Sequence, residues 1–243
     1  SPNYRFSRKM SIFALPTAFF LTLVAILVLR PLASKFGLVD KPGGRKTHSK
    51  DTPLIGGLGI YLGLLLGCLF NAEVMAHYQP LLLISSLLLL TGLVDDYFPL
   101  SAIARLGIQI VAAWLMYTLG ENQLVSLGKL FGDSELFLGR YSMLMTIFAT
   151  VGVINAINMI DGMDGLSGGM VIICLALLGI SASVTGNNPA LLSFTLIAIC
   201  CLAAFLVLNF RAAFNKPALI YLGDSGSTLL GFILAWLLIE SSQ

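Results

Sequence analysis

The chain has 243 residues, of which 57% are hydrophobic and 11% are charged, and its mean hydropathy is +0.92. Because a soluble domain carries about 25% charged residues, this composition excludes an ordinary soluble protein and predicts an integral membrane protein. The formal net charge of +2 is too small to favour nucleic acid as a partner. The four cysteines lie in apolar runs without metal-ligand spacing, so we interpret them as small hydrophobic residues.

Eight apolar stretches follow one another along the chain, and most approach the ~20 residues that cross the hydrocarbon core of a bilayer. They cover residues 12–32, 54–72, 80–95, 102–119, 142–158, 166–185, 190–209 and 218–239. An open sheet edge would leave backbone groups unsatisfied in lipid. The sequence therefore predicts an all-α, polytopic bundle of about eight transmembrane helices that forms one domain over residues 1–243. The first stretch is too long for a signal peptide, so we expect it to be retained.

The distribution of Lys and Arg favours an N-terminus outside the membrane, with nine of the fourteen basic residues on the cytoplasmic side. Three basic residues before the first stretch argue for the opposite orientation. With the N-terminus outside, seven of the twelve acidic residues lie at the cytoplasmic ends of apolar stretches. They are Asp40, Asp51, Asp95, Asp96, Asp161, Asp164 and Asp224. A charge at the bilayer centre costs about 2.5 to 3.5 kcal/mol, so acids clustered at helix ends indicate a reaction site there.

The third stretch ends in the adjacent acids Asp95 and Asp96. Since a helix C-terminus carries partial negative charge, two carboxylates there are disfavoured unless a cation compensates them. Arg105, near the start of the next stretch, is the natural carboxylate or phosphate partner. A solvated helix end is the alternative interpretation.

The fifth stretch ends with Asn155, Asn158 and Asp161 at a spacing of three residues, which places them on one helix face. Two amides are poorly placed in lipid, so this face is expected to point to a protein or water-filled interior. Asp164 follows in a glycine-rich turn. Taken singly, the asparagines could join helices and Asp164 could cap the sixth helix, whose N-terminus could instead bind phosphate.

Asp224 opens the eighth stretch within Gly-Asp-Ser-Gly. It could be an ordinary N-cap, but its carboxylate also suits Mg²⁺, which prefers one or two carboxylates, several waters and phosphate oxygens. Residues 41–50 are strongly basic and include Lys46 and His48. They could form either a solvated cytoplasmic loop or a binding surface for an anionic nucleotide or lipid phosphate.

Together these motifs resemble the polyprenyl-phosphate N-acetylhexosamine-1-phosphate transferases over essentially the whole chain. The matching motifs are Asp40-Lys41-Pro42, Arg45-Lys46-x-His48, Pro53-x-x-Gly56-Gly57, Asp95-Asp96, Asn155-Ala156-x-Asn158-Met159-x-Asp161-Gly162-x-Asp164-Gly165 and Gly223-Asp224-x-Gly226-Ser227-Thr228. The resemblance implies a Mg²⁺-dependent enzyme, with Mn²⁺ as the alternative metal, that moves N-acetylglucosamine 1-phosphate from UDP-N-acetylglucosamine to undecaprenyl phosphate and releases UMP. It also implies a bacterial inner membrane location, a cytoplasmic active site and a first step of an envelope glycan such as O-antigen or enterobacterial common antigen.

On this resemblance we assign ten residues to roles. Asp224 and Asn158 are the expected metal ligands. The catalytic acids are Asp95 and Asp96, on the acceptor phosphate, and Asp161 and Asp164, on the uridine-diphosphate side. The substrate-binding residues are Lys46, His48, Arg105 and Asn155.

The family continues beyond the eighth segment with a His-rich cytoplasmic loop and further helices, and we expect this chain to lack them. Three alternatives stay open: another UDP-N-acetylhexosamine as donor, a secondary transporter and a non-catalytic scaffold. A transporter would place its acids near the bilayer midplane rather than at helix ends. The lipid-facing apolar helices are also compatible with a homodimer.

Overall fold

A computed structural model describes residues 14–40, 51–129, 134–210 and 217–243. In these ranges the chain forms eight α-helices, one 3₁₀ turn (Gly139–Tyr141) and one two-stranded hairpin. The helices are α1 (Ala14–Phe36), α2 (Gly56–Leu69), α3 (Ala72–Tyr97), α4 (Ala102–Thr118), α5 (Ser142–Ile160), α6 (Leu166–Thr185), α7 (Pro189–Asn209) and α8 (Gly223–Ser241). The strands are β1 (Val39–Asp40) and β2 (Thr52–Pro53). The predicted all-α class is confirmed.

Five of these helices, α1, α3, α5, α6 and α7, are long and apolar enough to cross a membrane. Two more, α2 and α4, are apolar but shorter. The chain is therefore a multi-pass helical membrane protein. Eight crossings remain a prediction, because length and composition support five in the part of the chain that the structure describes.

The central element of the bundle is α8, which packs most extensively against α5 and α3. Its residues 225–237 are buried without interruption. Helix α1 is the opposite case, because it exposes apolar side chains such as Phe20, Val24 and Val28. Contiguous exposed apolar surface of this kind is typical of a face that contacts lipid.

Helix α3 is longer than the apolar pattern predicted, because it begins at Ala72 rather than near residue 80. The N-cap residue Asn71 accepts a hydrogen bond from the backbone N–H of Val74 at 3.3 Å. Such a cap satisfies one of the unpaired donors of the first turn and fixes where the helix starts. Pro80 lies inside the helix, so it does not mark the boundary.

Helices α3 and α8 are antiparallel and are joined at both ends. At one end, Asp96 of α3 bonds the first turn of α8. At the other end, the Glu240 carboxylate of α8 accepts hydrogen bonds from Tyr78 Oη of α3 at 3.1 Å and from Asn188 Nδ2 at the start of α7 at 2.9 Å. His77 Nε2 lies 3.0 Å from the same oxygen. This arrangement separates the acids predicted to form a site from Glu240.

The hairpin closes the acidic end of the bundle. Strands β1 and β2 pair antiparallel, and the chain after β2 bridges Tyr221, just before α8. Tyr221 donates its backbone N–H to Pro53 at 2.8 Å and accepts one from Gly56 at 2.9 Å. Lys46 and His48 belong to the stretch between the two strands, outside the described residues. Both flanks of the basic stretch are therefore fixed beside the start of α8.

Candidate active site

Asp95 closes the turn between α3 and α4. Its side chain is almost fully buried, and its Oδ1 accepts the backbone N–H of Leu100 at 2.7 Å. Its Oδ2 accepts a hydrogen bond from Arg105 Nη1 at 3.2 Å. The carboxylate partner that the sequence suggested for Arg105 is therefore Asp95, and the solvated-helix-end interpretation does not apply to this residue.

Arg105 connects two acidic motifs that are distant in sequence. Its Nη1 atom lies 3.2 Å from Asp95 Oδ2 and 3.9 Å from Asp224 Oδ2. The side chains of Arg105 and Asp224 are each 39% exposed, so both reach solvent, whereas Asp95 does not. A cation between two carboxylates lowers their mutual repulsion. The arrangement leaves Arg105 accessible to an anionic ligand.

Asp224 is the second residue of α8 and receives its side-chain hydrogen bond from α5. Asn158 Nδ2 donates to Asp224 Oδ1 at 2.8 Å and to Ser227 Oγ at 2.8 Å. The two residues predicted as metal ligands are therefore in direct contact. Because Asn158 offers its N–H group to Asp224, it orients this carboxylate.

Asp224 is not the N-cap residue of α8, and Asp164 is not the N-cap residue of α6. The N-cap of α8 is Leu222, and the N-cap of α6 is Gly165. Gly165 and Gly223 have φ angles of 79° and 76°. These left-handed conformations favour glycine, and they turn the chain sharply into each helix, so the acidic residues do not occupy the capping position.

Asp96 contacts the backbone of α8 rather than Arg105. Its Oδ1 accepts the N–H of Asp224 at 2.7 Å, and its Oδ2 accepts the N–H of Ser225 at 3.1 Å. A Cβ atom at Gly223 would lie 2.7 Å from Asp96 Oδ2. Two adjacent acids that look alike in the sequence thus have different partners.

Asp161 lies at the C-terminus of α5, where its Oδ1 accepts a hydrogen bond from Ser167 Oγ at 2.6 Å. The pKa of Asp161 is raised to about 6, mainly by burial; the Ser167 hydrogen bond opposes this rise, and the negative charges of Asp224 and Asp164 add to it. Because Asn158, one turn earlier in α5, contacts Asp224 directly, the end of α5 that leads into Asp161 lies beside the start of α8, as the motif order suggested.

Asn155 is one turn before Asn158 and joins α5 to α4. Its Nδ2 donates to Gln109 Oε1 at 2.7 Å and to the Val151 carbonyl at 2.8 Å. The role of joining helices, considered for both asparagines in the sequence, fits these contacts. Any contact of Asn155 with substrate remains a prediction.

Two buried amides that were not predicted as site residues support the acidic motifs. One is Gln109, the partner of Asn155. The other is Asn209, whose Oδ1 accepts the Gly165 N–H at 2.7 Å and whose Nδ2 donates to the Ile220 carbonyl at 2.9 Å. Asn209 therefore links the turn of Asp164 to the segment before α8. Its signal was the same as that of Asn155, an amide within or at the end of an apolar stretch.

The carboxylates at this site could hold Mg²⁺ only if a substrate supplied further oxygen ligands. Among the residues with described positions, no three Asp, Glu, His or Cys side chains are grouped to hold a metal ion. Mg²⁺ does not need such a group, since one or two carboxylates, waters and phosphate oxygens complete its octahedron. Asp224 offers a half-exposed carboxylate, and Asp161 and Asp164 add negative charge nearby.

A sequence model of the family described as glycosyl transferase family 4 matches residues 78–242, about two thirds of the chain. The chain belongs to glycosyl transferase family 4. The matched region contains every predicted site residue except Lys46 and His48. The resemblance derived from the motifs is thereby confirmed at the level of the family, and the protein is a transferase by family.

Several curated relatives of this glycosyl transferase carry one name, undecaprenyl-phosphate alpha-N-acetylglucosaminyl 1-phosphate transferase. The protein of Haemophilus influenzae is 41% identical over 237 residues, which cover 96% of this chain and 65% of that protein. The proteins of Escherichia coli K12 and Salmonella typhi are each 35% identical and cover 93% of this chain and 61% of the relative. The chain thus spans somewhat less than two thirds of the length of these relatives.

Proposed function

We propose that this family 4 glycosyl transferase moves N-acetylglucosamine 1-phosphate from UDP-N-acetylglucosamine to undecaprenyl phosphate and releases UMP. The observation that carries the proposal is the position of Arg105 between Asp95 and Asp224 at the end of the bundle where the acidic motifs meet. The names of the relatives support the same acceptor and the same transferred group. The reaction would begin an envelope glycan.

The proposed chemistry needs little beyond positioning and charge stabilisation, which is typical of phosphoryl transfer. An oxygen of the acceptor phosphate forms a bond to the sugar-linked phosphorus of the donor. The bond from that phosphorus to the bridging oxygen breaks, and UMP leaves with that oxygen. The acceptor phosphate has a second pKa near ~6, so it is largely dianionic at neutral pH and does not require a strong general base.

Among the described residues, Arg105 is the one best suited to bind the acceptor or donor phosphates. Its guanidinium is fixed on one side by the buried Asp95 and reaches solvent on the other. A planar guanidinium keeps further N–H groups for phosphate oxygens while one of them is held by a carboxylate. Asp95 therefore acts in this proposal by holding Arg105.

Mg²⁺ is the metal that the oxygen donors favour, and Asp224 would hold it, with Mn²⁺ as the alternative ion. When bound, the metal supplies charge neutralisation for the diphosphate oxygens. Asn158 fixes the rotamer of Asp224 through its hydrogen bond. Asp161 and Asp164 contribute the surrounding negative charge that attracts a cation.

We place this site on the cytoplasmic face of the bacterial inner membrane. The basic stretch at residues 41–50 is flanked by β1 and β2, which adjoin the start of α8. Basic residues are enriched in cytoplasmic loops, and nucleotide sugars are cytosolic substrates. The proposed membrane orientation therefore places the site on the side where the nucleotide sugar is available.

The test is release of UMP from UDP-N-acetylglucosamine by purified protein in detergent. Because the relatives are longer, the assay compares residues 1–243 with an extended chain, in which these residues are followed by the C-terminal part of the Haemophilus influenzae protein. We expect UMP only when undecaprenyl phosphate and Mg²⁺ are both present. UMP release that does not depend on the acceptor, or a faster reaction with another UDP-N-acetylhexosamine, would contradict the proposal.

A further inference from the structure

The first turn of α8 lacks a cap from its own sequence. The backbone N–H groups at the start of any helix have no partner within the helix, and a polar side chain at the N-cap normally accepts one of them. In α8 the N-cap residue is Leu222, which has no side-chain acceptor. The donors of Asp224 and Ser225 must therefore find a partner elsewhere.

Asp96 supplies both missing acceptors from a different helix. Its two carboxylate oxygens accept the N–H groups of Asp224 and Ser225 at 2.7 and 3.1 Å. Hydrogen bonds to an ionised acceptor are stronger than neutral ones, and a carboxylate at a helix N-terminus also interacts favourably with the helix dipole. Asp96 thus caps α8 from the C-terminal end of α3.

Close backbone packing keeps this cap in place. A Cβ atom on Gly92, one turn before Asp96, would overlap the backbone of Ser225, and one on Gly57 of α2 would overlap Gly226. Both helices therefore approach the first turn of α8 at glycine positions. The distances of 2.7 and 3.1 Å leave no room for a phosphate between the Asp96 carboxylate and the N–H groups that donate to it.

We infer that Asp96 is a positioning residue that acts through Asp224, whereas its neighbour Asp95 holds Arg105 by a hydrogen bond. Asp224 is held twice: its backbone N–H bonds Asp96 of α3, and its carboxylate bonds Asn158 of α5. Loss of the Asp96 cap frees the first turn of α8 and displaces the Asp224 carboxylate relative to Arg105. The consequence for catalysis rests on the proposed function, but the cap itself does not.

Hydrogen exchange tests the cap without any assay of activity. We expect Asp96→Ala to increase the exchange rate of the Asp224 and Ser225 amides by roughly fivefold or more, as for loss of a helix cap. Asp95→Ala is the matched control, because it removes a neighbouring carboxylate that does not bond α8. Asp96→Asn keeps one acceptor oxygen and should give a smaller increase, and it replaces Asp96→Ala if that variant does not fold. Unchanged exchange in the Asp96 variants, or an equal increase with Asp95→Ala, would overturn the inference.

A double-mutant cycle then tests whether Asp96 acts through Asp224. In the extended chain, Asp96→Asn alone should lower turnover about tenfold or more, but in an Asp224→Asn background it should cost less than about threefold. A residue that activates the acceptor by itself would give losses that multiply, and that result would overturn the positioning role. If the unsubstituted protein releases no UMP, the proposed function fails, while the exchange measurement still decides whether Asp96 caps α8.

Discussion

Asn158 donates its side-chain amide to Asp224 across 2.8 Å and thereby joins the end of α5 to the start of α8. Both residues were predicted as metal ligands from their motifs. In the structure the asparagine supports the aspartate, because its N–H group rather than its oxygen faces the carboxylate. Asp224 therefore remains the predicted metal ligand, and the hydrogen bond from Asn158 sets the direction of its carboxylate.

Asp224→Asn in the extended chain should lower turnover by at least about a hundredfold. The substitution removes the negative charge that faces the metal, and a loss of several kcal/mol at ~1.4 kcal/mol per decade gives this size. Turnover is measured as UMP release at saturating Mg²⁺. Asp51→Asn, which changes an exposed acid at the same end of the bundle, is the control and should have little effect. Near-normal turnover of the Asp224 variant would rule out its metal role.

The raised pKa of Asp161, about 6 in the folded protein, predicts that stability depends on pH. Because this pKa lies above its unfolded value, the protonated carboxyl favours the folded state at low pH, and this contribution is lost as the pH rises to about 6. Asp161→Asn removes the titration. Relative to the unsubstituted protein, the variant should therefore gain about 1 to 3 kcal/mol between pH 4 and pH 7.

This comparison uses thermal unfolding in detergent without Mg²⁺, because a bound cation would itself favour the ionised carboxylate. Asp51→Asn is again a suitable control, since Asp51 is exposed. An Asp161→Asn variant whose stability relative to the parent is the same at both pH values would show that burial does not perturb this group.

Glu240 should stabilise the bundle at the end opposite the acidic site. Its carboxylate accepts hydrogen bonds from α3 and α7, and its Oε2 is buried without a partner among the described residues. Glu240→Ala leaves the hydroxyl of the buried Tyr78 without its acceptor, which should cost about 1 to 3 kcal/mol. The midpoint of denaturant unfolding in detergent measures the loss. Glu135→Ala, at an exposed acid, should not shift the midpoint.

The sequence predicted the helices well, because apolar stretches of membrane-spanning length are a strong signal. Successive crossings alternate in direction, so the C-terminus of one helix lies on the same side as the N-terminus of the next. The sequence placed Asp95, Asp161 and Asp224 at one end for this reason. It could not distinguish Asp95 from Asp96, because adjacent residues point in different directions around a helix and their partners depend on how α3 packs against α4 and α8. The N-terminal extension of α3 was missed because Glu73, His77 and Gln79 interrupt the apolar pattern before residue 80.

The supporting contacts of Gln109 and Asn209 were also beyond sequence reasoning. Each amide lies within or at the end of an apolar helix, which indicates a buried polar contact but does not identify the partner. Asn209 bonds Gly165 and Ile220, which are distant from it in sequence and become neighbours only when α6, α7 and α8 pack together. Rotation of each helix about its axis decides such contacts, and hydrophobicity alone does not fix that rotation.

Cysteine labelling should place the acidic end of the bundle in the cytoplasm. With the native cysteines replaced, Ser49→Cys in the basic stretch should react with an impermeant thiol reagent only after the inner face of the membrane is made accessible. Lys129→Cys, at an exposed position between α4 and α5, should react from outside intact cells. The distribution of Lys and Arg predicts this pattern, because basic loops are retained in the cytoplasm. The reverse pattern would separate Arg105 and Asp224 from cytosolic UDP-sugars, and the proposed transferase reaction would then have no donor on the side of the membrane where its site lies.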